Sequence, residues 1–199
     1  MNAKADMKRL KLAVHNVDAG DDEETPVVAR TEVRENGVFY IGTSVDPKSG
    51  LTSELPPLWL CDRLEILGRG IDESREFYRV LRWHCRGNHQ ERTYAMGLGM
   101  VGERQSWSAL RAGGLAIAPS RKTQEHLAYW LQTGGEDLMH AITHRGGWNH
   151  GAYVLPSGEV IGEPSRPLFY NGDRSHADAY RPRGSVEGWR DGVGKLCAG

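Results

Sequence analysis

The segment that decides the fold reads Gly147-Trp148-Asn149-His150-Gly151-Ala152-Tyr153-Val154-Leu155-Pro156-Ser157-Gly158-Glu159-Val160-Ile161-Gly162. Its stretch from Tyr153 to Leu155 suits a β-strand, because aromatic and β-branched residues favour an extended backbone. Pro156-Ser157-Gly158 has the residue types of a tight turn, and Val160-Ile161 begins a return strand that Gly162 ends. The segment therefore predicts a β-hairpin late in the chain.

A second informative segment combines a turn with a short helix-like stretch. It reads Gly184-Ser185-Val186-Glu187-Gly188-Trp189-Arg190-Asp191-Gly192-Val193-Gly194-Lys195-Leu196. Its end resembles a phosphate-binding loop only superficially. Trp189 stands where the motif Gly-x-x-x-x-Gly-Lys requires its first glycine, and Leu196 replaces the Ser or Thr that would ligate magnesium. The segment is therefore not a Walker A loop.

Upstream of these segments, strand-like runs alternate with turn residues, which predicts an antiparallel meander. The runs are Gly37–Val45, Leu58–Leu67, Glu76–Cys85 and Arg92–Val101.

Helical patterns follow the strands. Ser106–Ala112 precedes a glycine pair, and Lys122–Thr133 has Ser120 as a candidate N-cap and Gly134 as its stop. A third short helix is predicted over Glu136–Thr143. Strands first and helices later, without regular alternation, indicate an α+β fold. We expect a polar, acidic and flexible lead-in over residues 1–32 and a single α+β domain over residues 33–199.

Composition limits the class of protein. The 199 residues are 39% hydrophobic and 26% charged, which suits one sizeable globular domain. The three cysteines Cys61, Cys85 and Cys197 are odd in number and widely spaced, so we expect a reducing compartment and no disulfide framework. No secretory leader and no run of about 20 apolar residues is visible. These features predict a cytoplasmic protein without a membrane partner.

Charge is distributed unevenly behind a formal net charge of −1. An acidic run near the start contains Asp18, Asp21, Asp22, Glu23 and Glu24. The window from Arg79 to Lys122 holds eight basic residues and two acidic ones, with aromatic residues between them. Arginine contacts phosphates and aromatic rings stack on bases, a combination found in single-strand binders. The alternative is a solvated arginine-rich face with the tryptophans in the core.

The DNA-binding hypothesis selects its candidates from this basic and aromatic window. The candidate nucleic-acid-binding residues are Arg79, Arg82, Trp83, Arg86, Arg92, Trp107, Arg111, Arg121 and Lys122.

No pattern predicts a catalytic residue, a cofactor or a metal. Gly97 to Gly102 matches Gly-x-Gly-x-x-Gly, but the following helix is short and no acidic residue stands about 20 positions later. The histidine pair His140 and His144, and the cluster His84, Cys85 and His89, lack the full spacing of a known zinc site. A nucleophile elbow is also missing. A small-molecule enzyme is therefore the last of the three hypotheses.

The two late segments, together with earlier motifs, resemble the domain of unknown function 927 family. The earlier motifs are Gly37-Val38-Phe39-Tyr40, Leu58-Trp59-Leu60-Cys61 and Leu110-Arg111-Ala112-Gly113-Gly114-Leu115-Ala116-Ile117. The resemblance runs from about Val33 to the C-terminus. The family is found in phage, plasmid and pathogenicity-island replication proteins of the Cch helicase type, whose full-length members continue into an ATPase domain.

This resemblance implies a non-catalytic N-terminal module of a mobile-element replicative helicase or primase-helicase. Such a module would position DNA for an ATPase outside this chain, so the expected partners are DNA and an ATPase domain or neighbouring subunits. The rival hypothesis is a protein-interaction or ring-assembly module that does not touch DNA. The near-neutral net charge permits this second reading.

Overall fold

The computed structural model describes residues 27–175 together with residues 177, 185, 187, 188, 190 and 191. Most of the predicted lead-in therefore lies outside the described residues, as does most of the segment Gly184–Leu196. Within that segment the backbone N–H of Gly188 donates to Ser185 Oγ at 3.0 Å, and residues 187, 188, 190 and 191 are helical.

The described residues form thirteen strands and two α-helices. The strands are β1 (Arg30–Arg34), β2 (Gly37–Ile41), β3 (Thr43–Val45), β4 (Thr52–Glu54), β5 (Leu58–Cys61), β6 (Leu64–Ile71), β7 (Phe77–His84), β8 (Glu91–Gly97), β9 (Met139–Thr143), β10 (Gly147–Asn149), β11 (Ala152–Val154), β12 (Val160–Ile161) and β13 (Leu168–Tyr170). The helices are α1 (Arg104–Ala112) and α2 (Arg121–Thr133). The fold is broadly α+β, and β1 begins three residues before the expected domain start.

The largest sheet has five strands in the order β13-β9-β6-β7-β8. Its consecutive strands β6, β7 and β8 are antiparallel, whereas β9 runs parallel to β6 and β13 runs parallel to β9. The sheet is therefore mixed, and not the purely antiparallel meander that the sequence predicts. The departure has a topological cause, because both helices lie between β8 and β9 and return the chain to the far side of β6.

The predicted third helix, Glu136–Thr143, is wrong. Met139–Thr143 forms β9, which pairs on one side with β6 and on the other with β13. Residues 140–143 are all buried. A short apolar run that is buried on both faces has no strand-like alternation, so its periodicity does not distinguish a strand from a helix.

The two outer strands of this sheet approach each other through Asn171, the residue after β13. Its Nδ2 donates to the carbonyl oxygen of Ala95 in β8 at 3.2 Å, and the N–H of Ala95 donates to its Oδ1 at 3.4 Å. The sheet is therefore curled. Its concave face holds a small apolar cluster that draws residues from every strand. The cluster consists of Leu67, Tyr78, Val80, Ala95, Ile142 and Phe169.

The main core lies on the opposite face of the curled sheet, where both helices and the sheet β1-β2-β5 pack. Leu81 of β7 contributes from the curled sheet, Leu60 from β5, Leu110 from α1 and Leu127 from α2. The side chain of Ser120 accepts from the N–H of Thr123 at 3.2 Å, which confirms the predicted N-cap of α2. Neither described helix is long and apolar enough to cross a membrane.

A separate sheet of three short strands has the order β10-β11-β12. Its tight turn uses Gly158 at φ +89°, where only glycine avoids strain, and the N–H of Gly158 donates to the carbonyl of Leu155 at 2.8 Å. One face buries Ala152 and Val154. The other face exposes a cross-strand row of Trp148, Tyr153 and Ile161, the row named here the hairpin aromatic row.

The bridge between the sheet ends can be tested by replacing Asn171. We expect Asn171→Ala to lower the free energy of unfolding by about 1–3 kcal/mol, because it leaves two half-buried backbone groups of Ala95 without partners. Asn88→Ala is the control, since it removes a hydrogen bond within an exposed turn and should cost less than about 0.5 kcal/mol. Denaturant titration measures both variants, and equal losses would contradict a special role for Asn171.

Candidate nucleic-acid interface

Both tryptophans among the candidate residues are buried. Trp83 is 4% exposed and donates its Nε1–H to the carbonyl of Gly113 at 3.0 Å. Trp107 is 3% exposed and packs in the main core. Neither ring offers a face to a nucleobase, so the proposed stacking role of these two residues is wrong. Both rings therefore fill core volume.

Arg79 is also buried, with only 2% of its surface exposed. Its Nη2 donates to the carbonyl of Gln132 in the last turn of α2, where a cation complements the unpaired carbonyls. Burial lowers the pKa of Arg79, and the nearby charge of Arg69 lowers it further. Its Nε and Nη1 have no hydrogen-bond partner among the described residues. A guanidinium enclosed in this way cannot reach a phosphate, so Arg79 anchors α2.

Two further candidates are exposed but neutralised by acidic neighbours. Arg82 forms an ion pair with Glu65 on the adjacent strand, with Nη2 2.6 Å and Nε 3.0 Å from Oε2. The hydrogen bonds from Arg82 lower the pKa of Glu65, and the same contact raises the pKa of Arg82. Arg86 pairs with Asp62 at 2.6 Å. A phosphate would have to displace a carboxylate at either position.

Arg92 lies near the start of the outer strand β8, where it pairs with Trp83 of β7. It lines a depression of about 450 Å³ together with Tyr94, Tyr170, Asn171 and Arg174. None of the ion pairs in the described ranges involves Arg92. This depression shares no lining residue with the groove that Arg111 lines.

One of the three remaining basic candidates, Arg111, lines a groove between the two helices. The α1–α2 groove has a volume of about 440 Å³ and is lined by Gly102, Arg104, Trp107, Arg111, Ile117, Pro119 and Gln124. Its lining contains two arginines and no acidic residue. An edge of Trp107 and the side chain of Ile117 form its apolar floor. The groove can accept an elongated anion with polar edges.

Arg104 and Arg111 line the same side of α1 because they are seven residues apart, which is close to two helical turns. Arg121 and Lys122 begin α2 beside Pro119, although Arg121 is paired with Glu125 at 3.0 Å. No ion pair within the described part of the chain involves Arg104, Arg111 or Lys122. Of these three cations, Arg104 and Arg111 lie in the groove lining, whereas Lys122 lies on the side of α2 that carries His126.

The sequence hypothesis omitted Arg104, although the basic window contained it. The signal that could have found it is the seven-residue spacing from Arg111, which places both side chains on one flank of a helix. The predicted helix began at Ser106, two residues after Arg104. The two arginines were therefore not recognised as residues of one helix.

The histidine candidates take separate places in the fold. His140 is buried in β9 with Nδ1 3.2 Å from the carbonyl of Arg69, and His144 has Nε2 3.2 Å from the hydroxyl of Tyr78. Four residues of extended chain span about 13 Å, so this pair cannot share one metal ion. Among the described residues, no group of three or more His, Cys, Asp and Glu side chains has the arrangement of a metal site.

His126 on α2 links the groove-forming helix to the sheet β1-β2-β5. Its ring stacks on Tyr40 with centroids 3.7 Å apart and planes 15° apart. Burial lowers the pKa of His126, and the charge of Lys122 lowers it further, while Glu125 opposes them. The folded protein therefore favours the neutral ring.

A family model described as "Domain of unknown function (DUF927)" matches residues 31–199. The solved structure of the SCCmec type IV Cch active helicase is similar to this chain at 16% sequence identity and a TM-score of 0.41. The similarity covers 81% of this chain and 28% of that helicase chain, so this chain spans just over a quarter of the helicase's length. No curated protein sequence is similar enough to this chain to be matched.

The lowered pKa of His126 predicts a pH-dependent stability. The unfolded chain, in which histidine titrates near pH 6.5, binds the proton more readily than the folded chain. The stabilisation is therefore complete above that pH and is lost as the pH falls below it. His126→Phe keeps an aromatic ring against Tyr40 and removes the titration. We expect this variant to lose less free energy of unfolding than the original chain between about pH 7.5 and about pH 5.5.

Chemical denaturation at both pH values measures this difference. His84→Gln removes an exposed histidine at the end of β7 and serves as the control. If His126→Phe and the original chain show the same pH dependence, the neutral buried ring makes no contribution.

Proposed function

The chain belongs to the DUF927 family, and from this premise we propose that it is a non-catalytic module that positions DNA for an ATPase outside this chain. In this proposal the DNA backbone lies along the α1–α2 groove. The observation that carries the proposal is the pair Arg104 and Arg111, two cations without acidic partners among the described residues, in a groove lining that contains no carboxylate.

Unpaired cations differ from paired ones in what they offer a phosphate. Binding at Arg82 or Arg86 would require breaking an existing ion pair, so the net gain in electrostatic free energy would be small. Binding at Arg104 and Arg111 replaces only water and counterions. Release of condensed counterions from DNA then drives association and makes it dependent on salt. The groove is therefore the part of the basic window best suited to DNA.

The spacing of the two arginines suits one nucleic-acid strand. Seven residues of α-helix rise about 10.5 Å, and successive nucleotides of one strand rise about 3.4 Å along the duplex axis. Arg104 and Arg111 could therefore contact phosphates about three nucleotides apart on a strand that follows α1. Gln124 also lines the groove, but its Nε2 donates to the carbonyls of Ala118 and Pro119 at 3.3 Å and 3.4 Å, so only its Oε1 could accept from a sugar or base edge.

The helicase connection comes from the family resemblance, which places such modules in front of a motor domain. The 199 residues carry no Walker A loop, so the ATPase is a partner in this proposal. A module of this kind would hold a strand in a fixed register while the motor advances along it. Phosphate contacts suit that task because they position the strand without selecting its sequence.

A second candidate function is subunit or partner docking, and the hairpin aromatic row favours it. Trp148 is 77% exposed and meets Tyr153 edge to face, with ring centroids 5.6 Å apart. Ile161 extends the row on the next strand. Exposed Trp and Tyr residues in a row are enriched in protein interfaces. In this reading the module assembles a ring or recruits a protein through the small sheet.

The DNA proposal is tested with the double variant Arg104→Gln and Arg111→Gln. Glutamine keeps the helix propensity of the exposed positions and removes two charges. We expect the slope of log K against log salt for single-stranded DNA to fall in magnitude by about 1.4, because each lost phosphate contact with a single strand removes about 0.7. Fluorescence anisotropy of a labelled oligonucleotide from about 50 to about 200 mM salt measures this slope.

The matched control is Arg34→Gln with Arg63→Gln, which removes two arginines that are already paired with Glu32 and Glu65. This control should change the slope by much less than the groove variant. Equal effects of the two variants would show that net charge, and not the groove, governs binding. Absence of DNA binding by the original chain at micromolar concentration would overturn the proposal.

The docking alternative is tested with Trp148→Ser. If the row joins subunits, this variant should shift a salt-independent oligomer to monomer in light scattering, because it removes the largest exposed apolar side chain of the row. Tyr129→Ser, at an isolated exposed aromatic residue of α2, is the control. If the original chain is already monomeric in light scattering, the hairpin aromatic row does not join copies of this chain.

A further inference from the structure

Strands β3 and β4 pair only with each other and form an exposed two-stranded ribbon. This ribbon, residues 43–54, is named here the arm. All residues from 44 to 57 are exposed, including Val45 at 59% and Leu51 at 69%. A two-stranded ribbon without a covered apolar face is only marginally stable in water. The arm therefore gains stability if another surface covers its apolar side chains.

The tip of the arm is held in one shape by its own turn. The N–H of Lys48 donates to Asp46 Oδ1, and the N–H of Gly50 donates to the carbonyl of Asp46, both at 2.8 Å. Gly50 has φ +72°, which glycine adopts without strain. Asp46 pairs with Leu51 across the ribbon, so the adjacent Val45 points to the opposite face. A preformed tip of this kind loses little conformational freedom when it docks.

An apolar depression lies elsewhere in the fold, where β7 starts beside the 3-10 turn Leu98–Met100. Its volume is about 800 Å³. Phe77, Leu98 and Met100 line it and are 52%, 39% and 38% exposed. A Cβ added at Gly99, also in the lining, would meet nothing within 4 Å, so the space above this residue is open. The depression can therefore accept several apolar side chains from outside.

The arm tip and the rim of the depression also match in charge. The tip carries Asp46 and Lys48, and the rim carries Arg75 and Glu76. All four side chains are exposed, and none forms an ion pair with a described residue. Each surface thus presents one cation and one anion. Such exposed pairs add little affinity, but they favour one orientation of the contact.

We propose that the arm of one copy of this chain inserts its tip into the apolar depression of a second copy. Val45 and Leu51 then cover Phe77, Leu98 and Met100, and the tip and rim charges pair. The occupant is a second copy because no residue of the arm lines the depression of its own chain. Two different surfaces meet, so the contact is head-to-tail and leaves one arm and one depression available for further copies. The α1–α2 groove takes no part in it, so this self-association is independent of DNA binding.

The experiment is sedimentation velocity of the full chain across a micromolar range of concentration, without DNA. We expect the original chain to associate, and Leu51→Ser in the arm or Phe77→Ser in the depression to raise the Kd of association at least about tenfold. Leu138→Ser is the matched control, because Leu138 is 46% exposed and lies outside both surfaces. It should change the Kd less than about twofold. An original chain that stays monomeric throughout this range overturns the proposal.

Mixing the two variants tests whether these two surfaces meet each other. Leu51→Ser keeps an intact depression and Phe77→Ser keeps an intact arm, so the mixture should form a dimer that cannot grow further. A variant that misfolds restores nothing. Met100→Ser therefore repeats the mixing experiment with a change on a different element of the depression. If neither mixture forms a dimer, the arm does not dock in the depression.

The hairpin aromatic row is the competing surface for self-association. Trp148→Ser leaves the arm and the depression intact, so the proposal predicts an unchanged Kd for this variant. Assembly that Trp148→Ser abolishes and Leu51→Ser leaves intact would assign the contact to the hairpin and reject the arm. Anisotropy with labelled single-stranded DNA on the Leu51→Ser variant keeps the two proposals apart, because loss of self-association leaves the groove unchanged.

Discussion

The structure depends on one constraint, which is that strand β7 must bury both of its faces. The curled five-stranded sheet covers one face with the small apolar cluster around Val80, and the helices cover the other around Leu81. Residues 78–81 of this strand have no solvent side on which to place a charge. Arg79 is consequently enclosed, and its cation is tolerated because the C-terminal carbonyls of α2 accept from it. The same constraint draws Trp83 into the core, so the central part of the basic window serves folding.

The sequence was informative where local chemistry acts alone. Ser120 caps α2, glycine ends both helices, and Gly158 shapes the turn before β12, because each of these roles depends on a few adjacent residues. The sequence was misleading where packing between segments distant in the chain determines the secondary structure. Residues 139–143 become a strand only because β6 and β13 flank them, and neither partner is visible in their own pattern. The mixed order of the sheet is a property of the whole chain for the same reason.

The candidate site shows a similar division. Residue type drew attention to the basic window, but the nine candidates differ in what surrounds them, and only the fold reveals that. Glu65 and Asp62 reach Arg82 and Arg86 from neighbouring strands and loops. Arg111 lies on the flank of α1 and forms no ion pair with a described residue. Arg104, seven residues earlier, lies on the same flank. The functional value of an arginine in this protein is therefore set by the absence or presence of a carboxylate that is remote in sequence.

The bridge from Asn171 to Ala95 also has a topological consequence. The backbone N–H of Asn171 donates to the carbonyl of Thr143 in β9, while its side chain bonds to the backbone of Ala95 in β8. An outer strand of a sheet normally leaves a row of unpaired backbone groups, which can pair with another chain. At the level of Ala95 a single amide side chain occupies those groups, so this part of β8 is closed to a further strand.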